Sequence, residues 1–521
     1  MTSNKDHEVS TDIDAQRRQV VAGSLAILST ASTGLLAGCG GGSSSGGGGH
    51  VTPLTLMWMA PANGATNAGV NSSITLVFSE SVTVASNAIS VTGPSGAVTT
   101  TVTVSGANVT LTPVNPLSPG QKYTITITSG VKGAAGNAYA ESTASFTTTA
   151  QALSLAAGAM VSDSYYAYRW SSPPAQPWDV LQYLRGNGFR WLRMWVTTLS
   201  YPELRTTSDW STLPMQNANY WACLEASGAI LAAAAALGFR LQAVLFLSDQ
   251  AAHAGQQPLA ATWAGLTPTQ LAAAVQESAA ATASYYQSLG LNIEVFEIGN
   301  EIDFGVCGIY MGTTVPVPAG VDPVNTPSWM EENIWGPSAP LLKAAISGVL
   351  SVYPNAKILL HIAGVGYSTG NIAAYSFFQS MVNLGVPFDI AGLSYPYMFS
   401  GGDVPQPYFA QADFLSALDS IAAVGRPIQI VEFDYPAAPA GITKTPSPLY
   451  PFTPAGQANF IQDFANAING RVESVWYWYA DYYLAWPDAA NNPELVSSGL
   501  FSAYDTPRPA LAVFKQPPFA T

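Results

Sequence analysis

Ile428-Gln429-Ile430-Val431-Glu432 is apolar at almost every position, whichever side of a strand each residue would occupy, and Lys357-Ile358-Leu359-Leu360 has the same character. A strand with one wet face alternates apolar and polar residues. A strand in a parallel sheet covered by helices is buried on both faces and does not. Working outward from these two runs, eight such segments lie near 156–161, 190–196, 240–247, 293–299, 357–362, 388–394, 427–432 and 474–479. Between them lie Ala/Leu-rich helical stretches such as 219–238, 267–288 and 338–353. Eight consecutive β/α units predict an α/β fold of the (β/α)8 or TIM-barrel type over 155–521, with long loops and the functional groups at the C-terminal ends of its strands.

Upstream of the barrel the pattern changes. From 52 to 150 short runs such as Ile74-Thr75-Leu76-Val77-Phe78 and Tyr123-Thr124-Ile125-Thr126-Ile127 alternate with period two, separated by turn clusters such as Pro61-Ala62-Asn63-Gly64 and Ser118-Pro119-Gly120. That spacing predicts an all-β sandwich. The opening Pro-Ala-Asn-Gly, Phe78-Ser79-Glu80 and Leu117-Ser118-Pro119-Gly120-Gln121-Lys122-Tyr123 resemble bacterial Ig-like domains. With two acidic and two basic residues and no clustered chemistry, the stretch reads as a spacer rather than a glycan-binding module.

The first 38 residues read as an export signal: a polar segment ending in Arg17-Arg18, then an apolar run from Val20 to Gly38. Leu36-Ala37-Gly38-Cys39 resembles the lipobox of bacterial lipoproteins, which implies lipidation of Cys39, and the paired arginines resemble a twin-arginine signal. Residues 39–51 continue as a Gly/Ser tether that cannot pack. The expectation is an exported, lipid-anchored monomer in the periplasm or on the cell surface. Two further cysteines, Cys223 and Cys307, are either a disulfide or two buried thiols.

Composition narrows the function. The chain of 521 residues carries 18 Lys+Arg against 32 Asp+Glu, a net charge of −14, with only 10% charged residues. Nucleic-acid binding needs clustered cations, so it is not expected. A hydrophobic content of 48% excludes disorder for most of the length. The strand ends carry the chemistry. Phe296-Glu297-Ile298-Gly299-Asn300-Glu301 closes strand four, Ile430-Val431-Glu432 closes strand seven, and Arg193-Met194-Trp195, Ser394-Tyr395-Pro396 and Trp476-Tyr477-Trp478 close strands two, six and eight. Two glutamates facing each other across a barrel mouth suit glycoside hydrolysis, which needs one protonated carboxyl for the leaving oxygen and one carboxylate to attack the anomeric carbon. An Arg and a Tyr hydroxyl near Glu432 would hold it ionised, and an apolar wall would keep Glu301 protonated.

The Asn-Glu on strand four with the Glu on strand seven resembles clan A of the glycoside hydrolases, and within it family 53, the arabinogalactan endo-β-1,4-galactanases. The motifs carrying the resemblance run in order over roughly 155–515. They include Trp191-Leu192-Arg193-Met194-Trp195-Val196, Trp263-Ala264-Gly265-Leu266, Ile298-Gly299-Asn300-Glu301-Ile302, Leu359-Leu360-His361-Ile362, Phe388-Asp389-Ile390-Ala391-Gly392-Leu393-Ser394-Tyr395-Pro396 and Val431-Glu432-Phe433-Asp434-Tyr435-Pro436. The resemblance implies a polysaccharide substrate, Glu301 as acid/base and Glu432 as nucleophile. It further implies that Asn300 binds the sugar 2-hydroxyl, that Arg193 and Tyr395 support the nucleophile, that Trp478 floors the central subsite and that Asp249 ends the strand-three motif. His361 either lines the cleft or is structural.

This chain departs from the family at strand three, where Leu245-Phe246-Leu247-Ser248-Asp249-Gln250 lacks the usual His and Trp, and at strand eight, which reads Trp478-Tyr479-Ala480-Asp481-Tyr482. No cofactor or metal is expected; a calcium site after strand seven would have only Asp434, since no further acidic residue precedes Phe452. Asp303, Asp434 and Asp481 read as loop caps or solvated turns, and Tyr165-Tyr166-Ala167-Tyr168-Arg169-Trp170 as either a sugar platform or loop packing. Two alternatives stay open: a clan A enzyme acting on mannan, glucan or xylan, and a non-catalytic glycan-binding lipoprotein.

Overall fold

The computed structural model describes residues 53–61, 63–64, 68, 70, 74–115, 117–148, 155–161, 180–206, 222–254, 256–363, 370–396, 412–442, 446, 449–481, 493–503 and 506–519. The signal and tether, Cys39 and the Tyr165–Trp170 cluster lie outside the described residues.

The larger unit is a closed barrel of eight parallel strands. In chain order they are β1 (Ala156–Met160), β2 (Trp191–Val196), β3 (Arg240–Leu245), β4 (Ile293–Ile298), β5 (Lys357–Ile362), β6 (Ile390–Pro396), β7 (Ile428–Asp434) and β8 (Ser474–Tyr477). Closure is made by β1 pairing with β8, Gly158 opposite Trp476. Helices follow the strands: α1 (Val180–Gly186), α2 (Leu224–Ala236), α3 (Pro268–Ser288), α4 (Gly336–Leu350), α5 (Gly370–Asn383), α6 (Ala412–Ala422) and α7 (Pro454–Ile468). The expected strands all form, with ends differing by one or two residues. Local signals set helix starts. Thr267 and Gln270 form a capping box around Pro268, which sits in the first turn of α3.

Burial of strands on both faces explains their near-continuous apolar character. Outward residues join a large core shared with the helices, including Leu192, Phe296, Leu360, Leu393 and Phe433. Inward residues form a separate cluster of Trp191, Val295, Leu359, Ile390, Val431 and Trp476. Below it the Arg240 guanidinium lies 3.8 Å from the Trp191 ring centroid and pairs with Glu294 at 2.6 Å. The barrel interior has no room for a side chain opposite Trp476: a Cβ on Gly158 would lie 2.3 Å from the indole. Gly158→Ala is therefore expected to cost about 1–3 kcal/mol through overpacking, read as a lower urea midpoint for the barrel transition at unchanged m-value.

Two irregularities re-phase the barrel mouth. The β6–β7 register shifts between Leu393 and Ser394, after which Ser394 pairs with Glu432. The β7–β8 register shifts between Ile430 and Phe433. Bulges of this kind re-aim side chains, and here they turn Glu432 inward directly after inward-facing Val431.

The smaller unit is a β-sandwich. One sheet orders Leu56–Ala60, Ile74–Phe78, Asn108–Pro113 and Thr100–Ser105, and the other orders Ser142–Thr147, Lys122–Ile127, Ile89–Gly93 and Gly96–Ala97. Period-two alternation is literal in Lys122–Ile127, where Tyr123, Ile125 and Ile127 are buried. They meet Ile74, Leu76, Phe78, Val109, Leu111 and Phe146 in one core.

Candidate active site

The barrel mouth is organised by a charge in its centre, Glu297, which stands between Phe296 and Ile298. Strand alternation turns it inward, where it is fully buried. Arg193 grips it with two donors, Nη2 to Oε1 at 2.6 Å and Nε to Oε2 at 2.9 Å. Gln242 Nε2 donates to Oε2 at 2.9 Å, and His361 Nδ1 lies 2.8 Å from Oε1. Burial pushes the Glu297 pKa upward, but Arg193 and His361 outweigh it and hold the carboxyl at about 2. Burial likewise opposes the charge on Arg193, and Glu297 and Glu432 overcome it, raising its pKa.

Arg193 is the junction between the two strand-end glutamates. Its Nη1 donates to Glu432 Oε1 at 3.1 Å and its Nη2 to Asn300 Oδ1 at 3.0 Å. Beyond Asn300 the backbone turns sharply. Gly299 has φ +75° and Glu301, a non-glycine, φ +52°; strain of about 1–3 kcal/mol is common where function fixes a side chain. Gln257 Nε2 holds the turn by donating to the carbonyls of Asn300 and Glu301 at 3.0 and 3.1 Å. The Glu301 carboxyl then accepts Ser394 Oγ–H on Oε1 at 2.9 Å and the Ala254 N–H on Oε2 at 3.0 Å. Ser394 is the register partner of Glu432 on the adjacent strand, so the two glutamates stand at neighbouring points of one polar network. Where an apolar wall is expected, the described neighbours of the Glu301 carboxyl include the Ser394 and Ala254 donors and a second carboxyl, on Asp303.

Residues 159–514, more than half of the chain, match the family described as Glycosyl hydrolase family 53. The chain belongs to glycosyl hydrolase family 53. Residues 50–148 match the Bacterial Ig-like domain. The catalytic domain of the family 53 protein of Ignisphaera aggregans is similar at 24% identity with a TM-score of 0.54, covering 70% of this chain and 96% of that one. A fungal β-1,4-galactanase structure is similar at 20% identity and TM-score 0.54, covering 70% of this chain and 100% of that one. At such identities these likenesses speak for the fold. No curated protein sequence matches the chain.

The family 53 barrel thus gathers five of the expected site residues, Arg193, Asn300, Glu301, His361 and Glu432, into one network. Three others make contacts of a different kind. Asp249 Oδ2 accepts the Ala261 N–H at 2.8 Å, at the start of the turn Ala261–Trp263, so one of its oxygens serves loop architecture. The Tyr395 ring packs between Phe414 and Phe464, with centroids 4.9 and 4.8 Å away. It therefore lies on the outer face of the barrel, and Ser394 supplies the inward hydroxyl of that strand. Trp478 is buried to 2% exposure against Tyr479, centroids 4.7 Å apart. His361 is fully buried with both ring nitrogens held by protein groups, so it orders other side chains instead of lining a cleft.

Asp434 and Asp481 are fully buried, not solvated turns. Asp303 is intermediate in exposure, yet its carboxyl is enclosed and accepts the Ala363 N–H at 3.1 Å. Burial, with Glu301 adding to it, pushes Asp303 up to about 7. Its folded pKa lies above the unfolded value near 3.9, so the folded state holds an extra proton between roughly pH 4 and 7. Stability falls as pH rises through that window. Asp303→Asn is expected to be more stable than the parent at pH 8 by on the order of 2 kcal/mol, discounted for partial exposure, with the difference gone at pH 4. Urea unfolding at the two pH values reads it.

Cys223 and Cys307 are free and buried. Cys223 Sγ accepts the Ala226 N–H as the N-cap of α2, and Cys307 donates to the Leu247 carbonyl. Burial pushes the two thiols up to about 11 and about 12 respectively, which makes them inert as nucleophiles. Among the described residues no group of three or more His, Cys, Asp or Glu side chains is disposed to hold a metal ion.

Proposed function

We propose that the barrel is a retaining endo-glycosidase that cleaves β-1,4-linked galactan or arabinogalactan by double displacement. The observation that supports it is the convergence of the Glu301 and Glu432 carboxyls through Ser394 and through Arg193–Asn300. Glu432 attacks the anomeric carbon as the glycosidic C–O bond breaks, and the Glu301 proton goes to the leaving oxygen. A water then gives its proton to Glu301 and its oxygen to the anomeric carbon, releasing Glu432. Arg193 fixes the Glu432 oxygen. Asn300 spends one amide N–H on the Ala252 carbonyl at 3.0 Å, which leaves the other for a sugar hydroxyl. Galactan follows from family membership and from the similarity to proteins named as β-1,4-galactanases.

The test is incubation of the full chain with β-1,4-galactan, arabinogalactan, mannan, xylan and mixed-linkage glucan, following new reducing ends, oligosaccharide sizes and the anomer first released. Internal cleavage of galactan with a β product is expected. Release from another glycan alone moves the specificity, an α product removes the retaining mechanism, and no cleavage of any glycan overturns the reading. We further propose that Cys39 carries lipid and anchors the exported chain to a membrane, on the strength of Leu36-Ala37-Gly38-Cys39 and the Gly/Ser tether. Incorporation of labelled palmitate that is lost in Cys39→Ala tests it.

A further inference from the structure

Behind Glu301 runs a chain of hydrogen bonds that the two-carboxylate mechanism does not use. Ser394 Oγ lies 2.9 Å from Glu301 Oε1 and 2.8 Å from His361 Nε2. The other nitrogen, His361 Nδ1, lies 2.8 Å from Glu297 Oε1 and 3.0 Å from Asn300 Oδ1. Ser394 and His361 are 2% and 0% exposed, so solvent does not complete these bonds. Both groups facing Nδ1 are acceptors, which fixes a proton on Nδ1. The serine hydroxyl has one proton to serve two neighbours, and this makes the chain polar in one of two directions.

We propose that Ser394 and His361 are positioning residues that link Glu301 to Glu297 through one shared proton, so that the charge on Glu301 and the charge on His361 change together. In one arrangement Glu301 is protonated and donates to Ser394 Oγ, while the serine proton points at His361 Nε2 and the imidazole is neutral. In the other, the Glu301 proton has passed to Ser394 Oγ as the serine proton passed to Nε2, giving a carboxylate, an intact hydroxyl that donates to it, and an imidazolium held by Glu297. No proton is gained or lost. The charged groups around the chain are Arg193, Glu297, Asp303 and Glu432. The Ala254 N–H on the other oxygen of Glu301 can only donate, so the mobile proton belongs on the Ser394 side. Such a chain serves a residue that must be an acid in the first half of the reaction and a base in the second. The inference rests on Glu301 being the acid/base.

Two measurements test it, one of them independent of activity. The chain has four histidines, so 15N-histidine labelling gives few signals, and the His361 pair is assigned by its loss in His361→Gln. At fixed neutral pH, Glu301→Gln is expected to shift the His361 Nε2 resonance when Ser394 is present and to leave it in place in a Ser394→Ala background. An unmoved resonance in the first case, or an equal shift in both, overturns the proposal, whether or not the protein cleaves a glycan. In kinetics, Ser394→Ala removes a donor to the carboxylate, so Glu301 keeps its proton to higher pH. The alkaline limb of kcat/KM should move up by about one pH unit, with the acid limb fixed and Ser394→Thr restoring the parent profile. A Ser394→Ala enzyme with an unchanged alkaline limb, or a limb that Ser394→Thr fails to restore, also overturns it. If Ser394→Ala does not fold, His361→Gln carries the same expectation for the alkaline limb.

Discussion

Glu432→Ala is expected to lower kcat on galactan by on the order of 10⁵, the scale seen when a covalent nucleophile is removed, with the barrel still folded. The fold should survive because Arg193 keeps its two-donor grip on Glu297 and its bond to Asn300 and loses only the one to Glu432. Glu301→Ala should cost less, roughly 10² to 10⁴, because it removes general acid–base help and leaves the nucleophile in place. The two variants are told apart by what rescues them. An aryl glycoside whose leaving group needs no proton should recover most of its first-step rate in Glu301→Ala and none in Glu432→Ala. Azide entering the gap left by Glu432 attacks the face the carboxylate used, giving a glycosyl azide of inverted configuration. Azide entering the gap left by Glu301 intercepts the glycosyl-enzyme and gives retention. Full activity in either variant, or azide products of the opposite configurations, would sink the assignment.

The sequence made the strands and the two glutamates legible because both rest on local pattern: apolar runs buried on two faces, and carboxylates at the ends of two of them. What escaped it depended on phase. Tyr395 sits at the end of β6, close to the nucleophile along the sheet, but plain alternation from inward Ile390 turns Ser394 inward and sends the tyrosine ring among Phe414, Phe433 and Phe464; the extra residue of the register shift, Val431, lies on β7 and re-aims Glu432 instead. Glu297 is legible as inward from strict alternation with Val295, and a charged residue at an inward position is the signal; Glu294 on the same strand alternates the other way to the barrel's base. Asp249 was assigned by its motif position, whereas its partner, the amide of Ala261, lies 12 residues on and no periodicity announces it. Asp303 looked like a solvated turn because nothing local foretells that Ala363, from the far end of β5, supplies its hydrogen bond.

The balance of charge inside the barrel leads to the largest expected effect on stability. Arg193 is one cation set against two buried carboxylates, Glu297 and Glu432, all three at 0% exposure. Arg193→Leu leaves both without their cation, and breaking a buried pair in this way costs about 3–5 kcal/mol at neutral pH. Lysine is no substitute, since a single ammonium cannot make the forked contact to Glu297 while reaching Glu432. The pH dependence separates this from simple loss of packing. Glu297 in the parent has its pKa held at about 2, below the unfolded value near 4.3, so its contribution is present above pH 4.3 and is lost as pH falls toward 2. In Arg193→Leu the upward push of burial is opposed only by His361 and the neutral Gln242 amide, the Glu297 pKa is expected to rise past the unfolded value, and stability falls as pH rises instead. Parent and variant should therefore differ most at pH 7 and least near pH 3, as read from the barrel transition in urea at each pH. A second substitution, Glu297→Leu, should return part of the loss in the variant, because it removes a stranded charge, and should destabilise the parent. A gap that is the same at both pH values, or a double variant no more stable than Arg193→Leu alone, would mean that the arginine acts by filling space and not by holding the Glu297 carboxyl ionised.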